Sequence, residues 1–183
     1  MDLKIGNIVN TERKFIVKAE PSALIPMTDW VASLGIPMEK YWIDQLYVDG
    51  IKYRRISEDK TEIMFGVPYT TTDVVGYTKN VKKGNITAVM ESMEREFTDA
   101  AAKVNHVISR KERTSYVVTI DGKEFHIDID NYLVPKMLII EVSGDHLEEF
   151  TPPEVLVEVT GDERYSAKEI YKKVQEFAKT FTV

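Results

Sequence analysis

Charges on every other position mark the segment NTERKFIV, residues 10–17. In an extended chain alternate side chains share a face, so Asn10, Glu12 and Lys14 point one way and Thr11, Arg13, Phe15 and Val17 the other. Similar alternation predicts strands over roughly 10–18, 42–48, 51–57, 61–67, 73–80, 86–97, 108–120, 123–130 and 137–143. Helical signals are fewer. TDWVASLG (28–35) reads as one or two turns closed by Gly35. TDAAAKVNHV (98–107) has Thr98 as N-cap and Ala100, Val104 and Val107 along one stripe. In SAKEIYKKVQEF (166–177), Ser166 and Glu169 have capping-box spacing, and Ile170, Val174 and Phe177 form an apolar face. Many antiparallel strands with a few short helices predict an α+β domain on a curved sheet or barrel. No repeat or linker-like stretch divides residues 1–183, so a single domain is expected.

KERTSYVVTIDGKEFHIDID (111–130) is the best-specified stretch. Asp121-Gly122 signals a two-residue hairpin, because a type I′ turn needs positive φ at both central positions. The turn fixes the register: Ile120 faces Lys123, Val118 faces Phe125 and Tyr116 faces Ile127. Tyr116, Val118, Phe125, Ile127 and Ile129 then share an apolar face. The other face carries Lys111, Arg113 and Ser115 against Asp128 and Asp130, with Val117 beside His126.

The same period of two sets Lys52 with Arg54, Glu94 with Glu96, and Glu141 with Ser143. A solvated outer face explains any one of these alone. Together they fit a concave surface lined by acids and bases. Carboxylates at i, i+2 on strands make a hard oxygen site for Mg²⁺ or Mn²⁺. Lys and Arg at the same period hold phosphate oxygens, Arg by a bidentate fork. A metal beside a cationic cradle is what phosphoryl transfer requires.

Composition narrows the classes. With 24 basic against 30 acidic residues the net charge is −6, which argues against general nucleic-acid binding but leaves room for a local cationic cavity. There is no cysteine, which excludes disulfides and thiolate metal sites and makes the cytoplasm the expected compartment. Apolar runs such as MLIIEV are too short to span a bilayer, and no secretory signal is expected at the N-terminus. His106, His126 and His146 lack zinc-site spacing, KKGN (82–85) reads as a turn, and Trp30, Tyr41 and Trp42 read first as core, then as a ring for a nucleobase.

These motifs resemble the CYTH-domain proteins of the triphosphate tunnel metalloenzyme superfamily. Asn10-Thr11-Glu12-Arg13-Lys14-Phe15 resembles the family's opening Glu-x-Glu-x-Lys strand. KYRR (52–55) resembles its basic strand, Lys79 in GYTKN its lysine strand, Glu94-Arg95-Glu96 a Glu-x-Glu strand, and Lys111-Glu112-Arg113 a Lys-x-Arg pair. Asp128 matches the hairpin aspartate, Glu141 in LIIEVSGD the Glu-Val-Glu strand, and PPEVLVEVTGDERYS (152–166), with Arg164, the tail. The likeness covers nearly the whole chain, loosely around a long insertion at 58–85.

The resemblance implies an eight-stranded antiparallel β-barrel, a triphosphate tunnel with a few flanking helices. It implies a small phosphorylated partner, a triphosphate or nucleotide, and Mg²⁺ or Mn²⁺ as cofactor. Glu12, Glu141 and Lys14 become the catalytic residues. Lys14, Lys52, Arg54, Lys79, Lys111, Arg113 and Arg164 become phosphate contacts, and Glu12, Glu94, Glu96, Asp128 and Glu141 metal ligands. The activity expected is metal-dependent hydrolysis of a triphosphate. Asn10 and Ser143 stand where the family pattern has carboxylates, and they favour the alternative, a protein that binds nucleotide or polyphosphate without turnover. A nucleoside-triphosphate cyclase is a third option.

Overall fold

The computed structural model describes the backbone of residues 7–9, 12–57, 60–65, 72–74, 77–78 and 87–181, and the side chains of 12–56 and 95–181. In chain order the elements are β1 (Asn7–Val9), β2 (Glu12–Val17), α1 (Leu24–Ser33), β3 (Glu39–Val48), β4 (Ile51–Ser57), β5 (Lys60–Phe65), β6 (Thr72–Val74) and β7 (Tyr77–Thr78). Then come α2 (Thr87–Lys103), β8 (Ser109–Ile120), β9 (Lys123–Tyr132), β10 (Met137–Ser143), β11 (Leu156–Glu158) and α3 (Ala167–Lys179). Two compact units result, one from Met1–Asn10, Trp42–Arg110 and Ala167–Val183, the other from Thr11–Tyr41 and Lys111–Ser166.

The second unit carries β11, β2, β10, β9 and β8 in that order, all antiparallel. Asp121 and Gly122 adopt φ of 50° and 77°, and the register is the one the Asp-Gly turn predicts: Ile120 opposite Lys123, Val118 opposite Phe125, Tyr116 opposite Ile127. One sheet face buries Phe15, Tyr116, Phe125, Ile127, Ile140 and Val142 against Met27 of α1 and Phe150 and Leu156 of the tail. Arg13 lies on this face too. It bridges Glu158 at 2.7 Å and donates to the carbonyls of Leu147 and Phe150, tying the tail segment to β2.

The first unit carries β3, β4, β5 and β7 in antiparallel order and a separate β1–β6 ladder. Its core gathers Leu46 of β3, Phe97, Ala100 and Ala101 of α2, and Tyr171 of α3. The class is therefore α+β with antiparallel sheets. Neither strand order returns on itself among the described residues, so an eight-stranded barrel goes beyond what they establish. No helix among the described residues is long and apolar enough to cross a membrane.

Three expectations about elements change, among them the helix expected at 98–107, whose expected N-cap Thr98 lies inside α2. The strand expected at 86–97 is helix: α2 spans Thr87–Lys103. Met, Glu, Arg and Ala dominate that stretch, all strong helix formers, and Phe97, Ala100 and Ala101 fall at i, i+3, i+4 on its buried side. Glu94 and Glu96, two residues apart, then stand about 200° apart around the helix instead of sharing a strand face. α1 begins at Leu24, a turn earlier than the pattern suggested, because Pro26 falls in its first turn, where no intrahelical N–H is lost. Within the strands expected at 61–67 and 73–80, the described residues form β5, β6 and β7, and the rest of both ranges lies outside the described residues.

Candidate functional site

The polar face of the second unit is built by register. Ser115 of β8, Asp128 of β9, Glu141 of β10 and Lys14 of β2 stand directly opposite one another in one row. Two residues along, Val117, His126, Ser143 and Glu12 form the next row. Two residues the other way, Arg113 and Asp130 begin a third, which ends in Ile139 and Ile16. The alternation of side chains along each strand puts all of these on the face opposite the apolar core.

Arg113 is the hub. Its Nε donates to Asp130 Oδ1 at 2.6 Å and its Nη2 to Asp130 Oδ2 at 2.7 Å, a bidentate fork. Its Nη1 reaches Asp128 Oδ2 at 2.6 Å, and Nη2 also reaches Glu141 Oε2 at 2.5 Å. Burial works against the charged guanidinium, but Asp130, Glu141 and Asp128 outweigh it and raise its pKa. Asp130 also accepts from the Lys111 ammonium, which lies 5.1 Å from the centre of the Tyr132 ring. Ser115 Oγ donates to Asp128 Oδ1 at 2.6 Å.

At the β2 end, Lys14 Nζ lies 3.1 Å from Glu141 Oε1 and 3.8 Å from Glu12 Oε1. Burial alone would raise the Glu141 carboxyl, but Lys111, Lys14 and Arg113 hold it well below its ordinary value. Glu12 goes the other way: burial, then the neighbouring charge of Glu141, push it up against the pull of Lys14 and Arg113. Burial depresses Lys14, and Glu141 and Glu12 more than restore it, so its pKa ends raised.

Among the described residues the cluster around Lys14, Lys111 and Arg113 thus gathers four carboxylates, Glu12, Asp128, Asp130 and Glu141, with Glu124 farther along the same face beside His126. Fully ionised, the seven side chains of the cluster sum to one negative charge, and the like charges of Glu12 and Glu141 help to raise the Glu12 pKa. The donor set suits a hard divalent ion. Its geometry is less complete. Among the described residues the three ligand groups whose atoms all lie within 4.8 Å are those of exposed His146, Glu148 and Glu149, not carboxylates of this face. Glu12 and Glu141 could share an ion, with Asp128 reaching it only by giving up Arg113 or Ser115.

Of the residues singled out from sequence, Glu12, Lys14, Lys111, Arg113, Asp128 and Glu141 come together here. Lys52 and Arg54 share one face of β4 in the other unit, opposite Tyr47 and Gln45, with the Lys52 ammonium 6.0 Å from the Tyr47 ring centre. Glu94 and Glu96 lose the strand that paired them; Glu96 is exposed on α2, and the Glu94 side chain lies outside the described residues. Lys79 and Asn10 also lie outside them. Arg164 is largely exposed and closes on Asp162, two residues back, at 2.5 Å. That ion pair is local to its turn.

Two features escaped the sequence reading. Asp130 was placed on the polar face by the hairpin register, yet motif matching selected Asp128 and passed over it. In the first unit, buried Asp44 holds Arg55 at 2.9 Å and Arg110 at 2.6 Å, with Arg55 over the Phe97 ring and Arg110 over Trp42. Asp44 and Arg55 stand opposite each other on β3 and β4, a pairing that no local period reveals.

Compared with known proteins, the chain matches no family model and no curated protein sequence.

Proposed function

We propose that the polar face of β2, β8, β9 and β10 holds a triphosphate-bearing small molecule together with Mg²⁺ or Mn²⁺. The meeting of Lys14 and Arg113 with Glu12 and Glu141 on one sheet face carries this reading. A divalent ion between Glu12 and Glu141 would offset their like charges and leave Lys14 and Arg113 to attract phosphate oxygens. Lys14 and Arg113 are the cations best placed to take phosphate oxygens, and Glu12 and Glu141 are the carboxylates that face the ion. A bound ion would neutralise phosphate charge and lower the pKa of a coordinated water.

Binding without efficient turnover is the form of this reading the geometry favours. Both oxygens of Asp128 and of Glu141 already accept from donors of the face. Ser143 stands opposite Glu12, where the family pattern would supply another carboxylate. Hydrolysis is the second reading, and Glu12 favours it: a carboxyl with a raised pKa beside Lys14 is suited to accept a proton from an attacking water. The finer fold, a closed triphosphate tunnel with Lys52 and Arg54 as further phosphate contacts, belongs to the same proposal and rests on the motif resemblance. A cytoplasmic location is proposed too, on the absence of cysteine.

The test is a panel of tripolyphosphate, thiamine triphosphate and ATP, each with Mg²⁺, with Mn²⁺ and with EDTA. A ligand-dependent rise in Tm that needs the metal is expected, by mass action on the folded state. Phosphate release in the same panel selects hydrolysis over binding. No shift with any ligand at any metal concentration sinks both readings.

A further inference from the structure

We infer that Asp130 is the positioning residue of this site, fixing Arg113 from behind while Asp128 and Glu141 stand in for ligand oxygens on its outer edge. The inference rests on the proposed triphosphate reading and adds a division of labour among the three carboxylates around one guanidinium.

The division follows from access. Asp130 is fully buried, whereas the side chains of Asp128 and Glu141 are 30% and 17% exposed. Asp130 uses both oxygens, in a bidentate fork on Nε and Nη2 of Arg113 and in the contact with buried Lys111. A carboxylate so enclosed has no solvent to turn towards, so leaving Arg113 would cost it the fork with no water to replace it. Asp128 and Glu141 each make one bond to Arg113 and have other partners, Ser115 and Lys14. They can release the guanidinium without becoming unpaired.

An incoming phosphate oxygen has the same needs as a carboxylate oxygen and is accepted by the same N–H donors. Exchange on the outer edge therefore preserves the hydrogen bonds of Arg113 and frees Asp128 and Glu141 to face a cation. Phosphate and divalent ion then bind with positive coupling, since each makes room for the other. The exchange works only if Arg113 keeps its orientation throughout, and Asp130 supplies that.

Nitrogen-15 NMR of the whole chain tests the hold directly. The Arg113 Nε–H should give a sharp, slowly exchanging signal in the ligand-free protein, and the signal should persist when tripolyphosphate and Mg²⁺ are added. Asp130→Asn should abolish the slow exchange and weaken Mg²⁺-tripolyphosphate binding by about ten- to a hundredfold, the loss of one or two charge-assisted hydrogen bonds. A fast-exchanging Nε–H in the wild type overturns the inference even if the variant fails to fold. So does a folded Asp130→Asn protein that binds as tightly as wild type. If wild type binds no Mg²⁺-tripolyphosphate, the triphosphate reading falls and the inference with it.

Discussion

Glu12 and Glu141 lie diagonally across the β2–β10 ladder, Glu12 opposite Ser143 and Glu141 opposite Lys14, and their acidities are driven in opposite directions. Glu141 is held below the ordinary carboxylate value of 4.5, so it stabilises the fold above that pH and the benefit is lost as pH falls through its folded value. Glu12 is raised, so its favourable contribution is complete below pH 4.5 and lost as pH rises through its folded value. At pH 7, Glu141→Gln should therefore lower stability, by about 1–3 kcal/mol for a part-buried charged partner removed. Glu12→Gln should raise Tm at the same pH. Both differences should shrink below pH 4.5. Thermal melts of the two variants from pH 3 to pH 8 check the signs, and a stabilising Glu141→Gln would show that the cations do not outweigh its burial.

Which parts of this site were legible is a question of range. The Asp121-Gly122 turn is local, and a register set by a two-residue turn propagates along both strands, so the rows from Ser115 to Asp128 could be read directly. Glu12 and Lys14 were legible by the period of two, because Phe15, next to Lys14, is apolar and has to turn to the core. The long-range step, β2 against β10, came from motif resemblance and not from any local signal. The reading failed where two periods coincide: Glu94 and Glu96 alternate as a strand would, while Phe97, Ala100 and Ala101 recur as a helix would, and propensity decided for the helix. The Asp44–Arg55–Arg110 cluster was illegible because its members come from three strands with no shared spacing.

That cluster gives a prediction for the first unit. Burial opposes the charged form of Asp44, but hydrogen bonds from Arg110 and Arg55 outweigh it and lower its pKa. Its contribution is therefore present at neutral pH and lost as pH falls through the folded value. Asp44→Ala should destabilise by about 1–3 kcal/mol at pH 7, since Arg55 and Arg110 each lose a charged acceptor. Urea melts at pH 7 and pH 3 should show the penalty shrinking at the lower pH. An unchanged midpoint at pH 7 would mean that the contacts of Asp44 with Arg55 and Arg110 add nothing to stability.

Backbone geometry predicts two glycine effects of different size. Gly122 holds φ of 77° in the β8–β9 turn with open space around it, so Gly122→Ala should cost only conformational strain, about 1 kcal/mol. At Gly144, a Cβ would sit 2.7 Å from the Glu124 carbonyl oxygen, so Gly144→Ala has to displace backbone. Its cost should be about 1–3 kcal/mol, the range for forced overpacking. Equal losses in a denaturant comparison would refute the close approach of the β10 end to β9.

The most direct probe of the metal is to return a carboxylate to the position where the family pattern has one. Ser143 is opposite Glu12 and two residues from Glu141, on the same face. Ser143→Glu therefore adds a third acidic group beside two that already interact, one of them raised by that neighbour. In EDTA, like charges directly opposed across a ladder should cost about 0.2–1 kcal/mol, so Tm should fall. Mg²⁺ should reverse the sign, because more ligand charge strengthens a hard-ion site. The Mg²⁺ concentration for half the thermal shift should drop by about tenfold, equivalent to one added favourable contact. Ser143→Gln adds the same bulk without the charge, and should show neither the loss in EDTA nor the gain in metal. If the Glu and Gln variants respond alike to Mg²⁺, the effect is steric, and the Glu12–Glu141 end of the face does not bind the ion. If Ser143→Glu also releases phosphate from tripolyphosphate where wild type does not, the missing carboxylate is what separates binding from turnover.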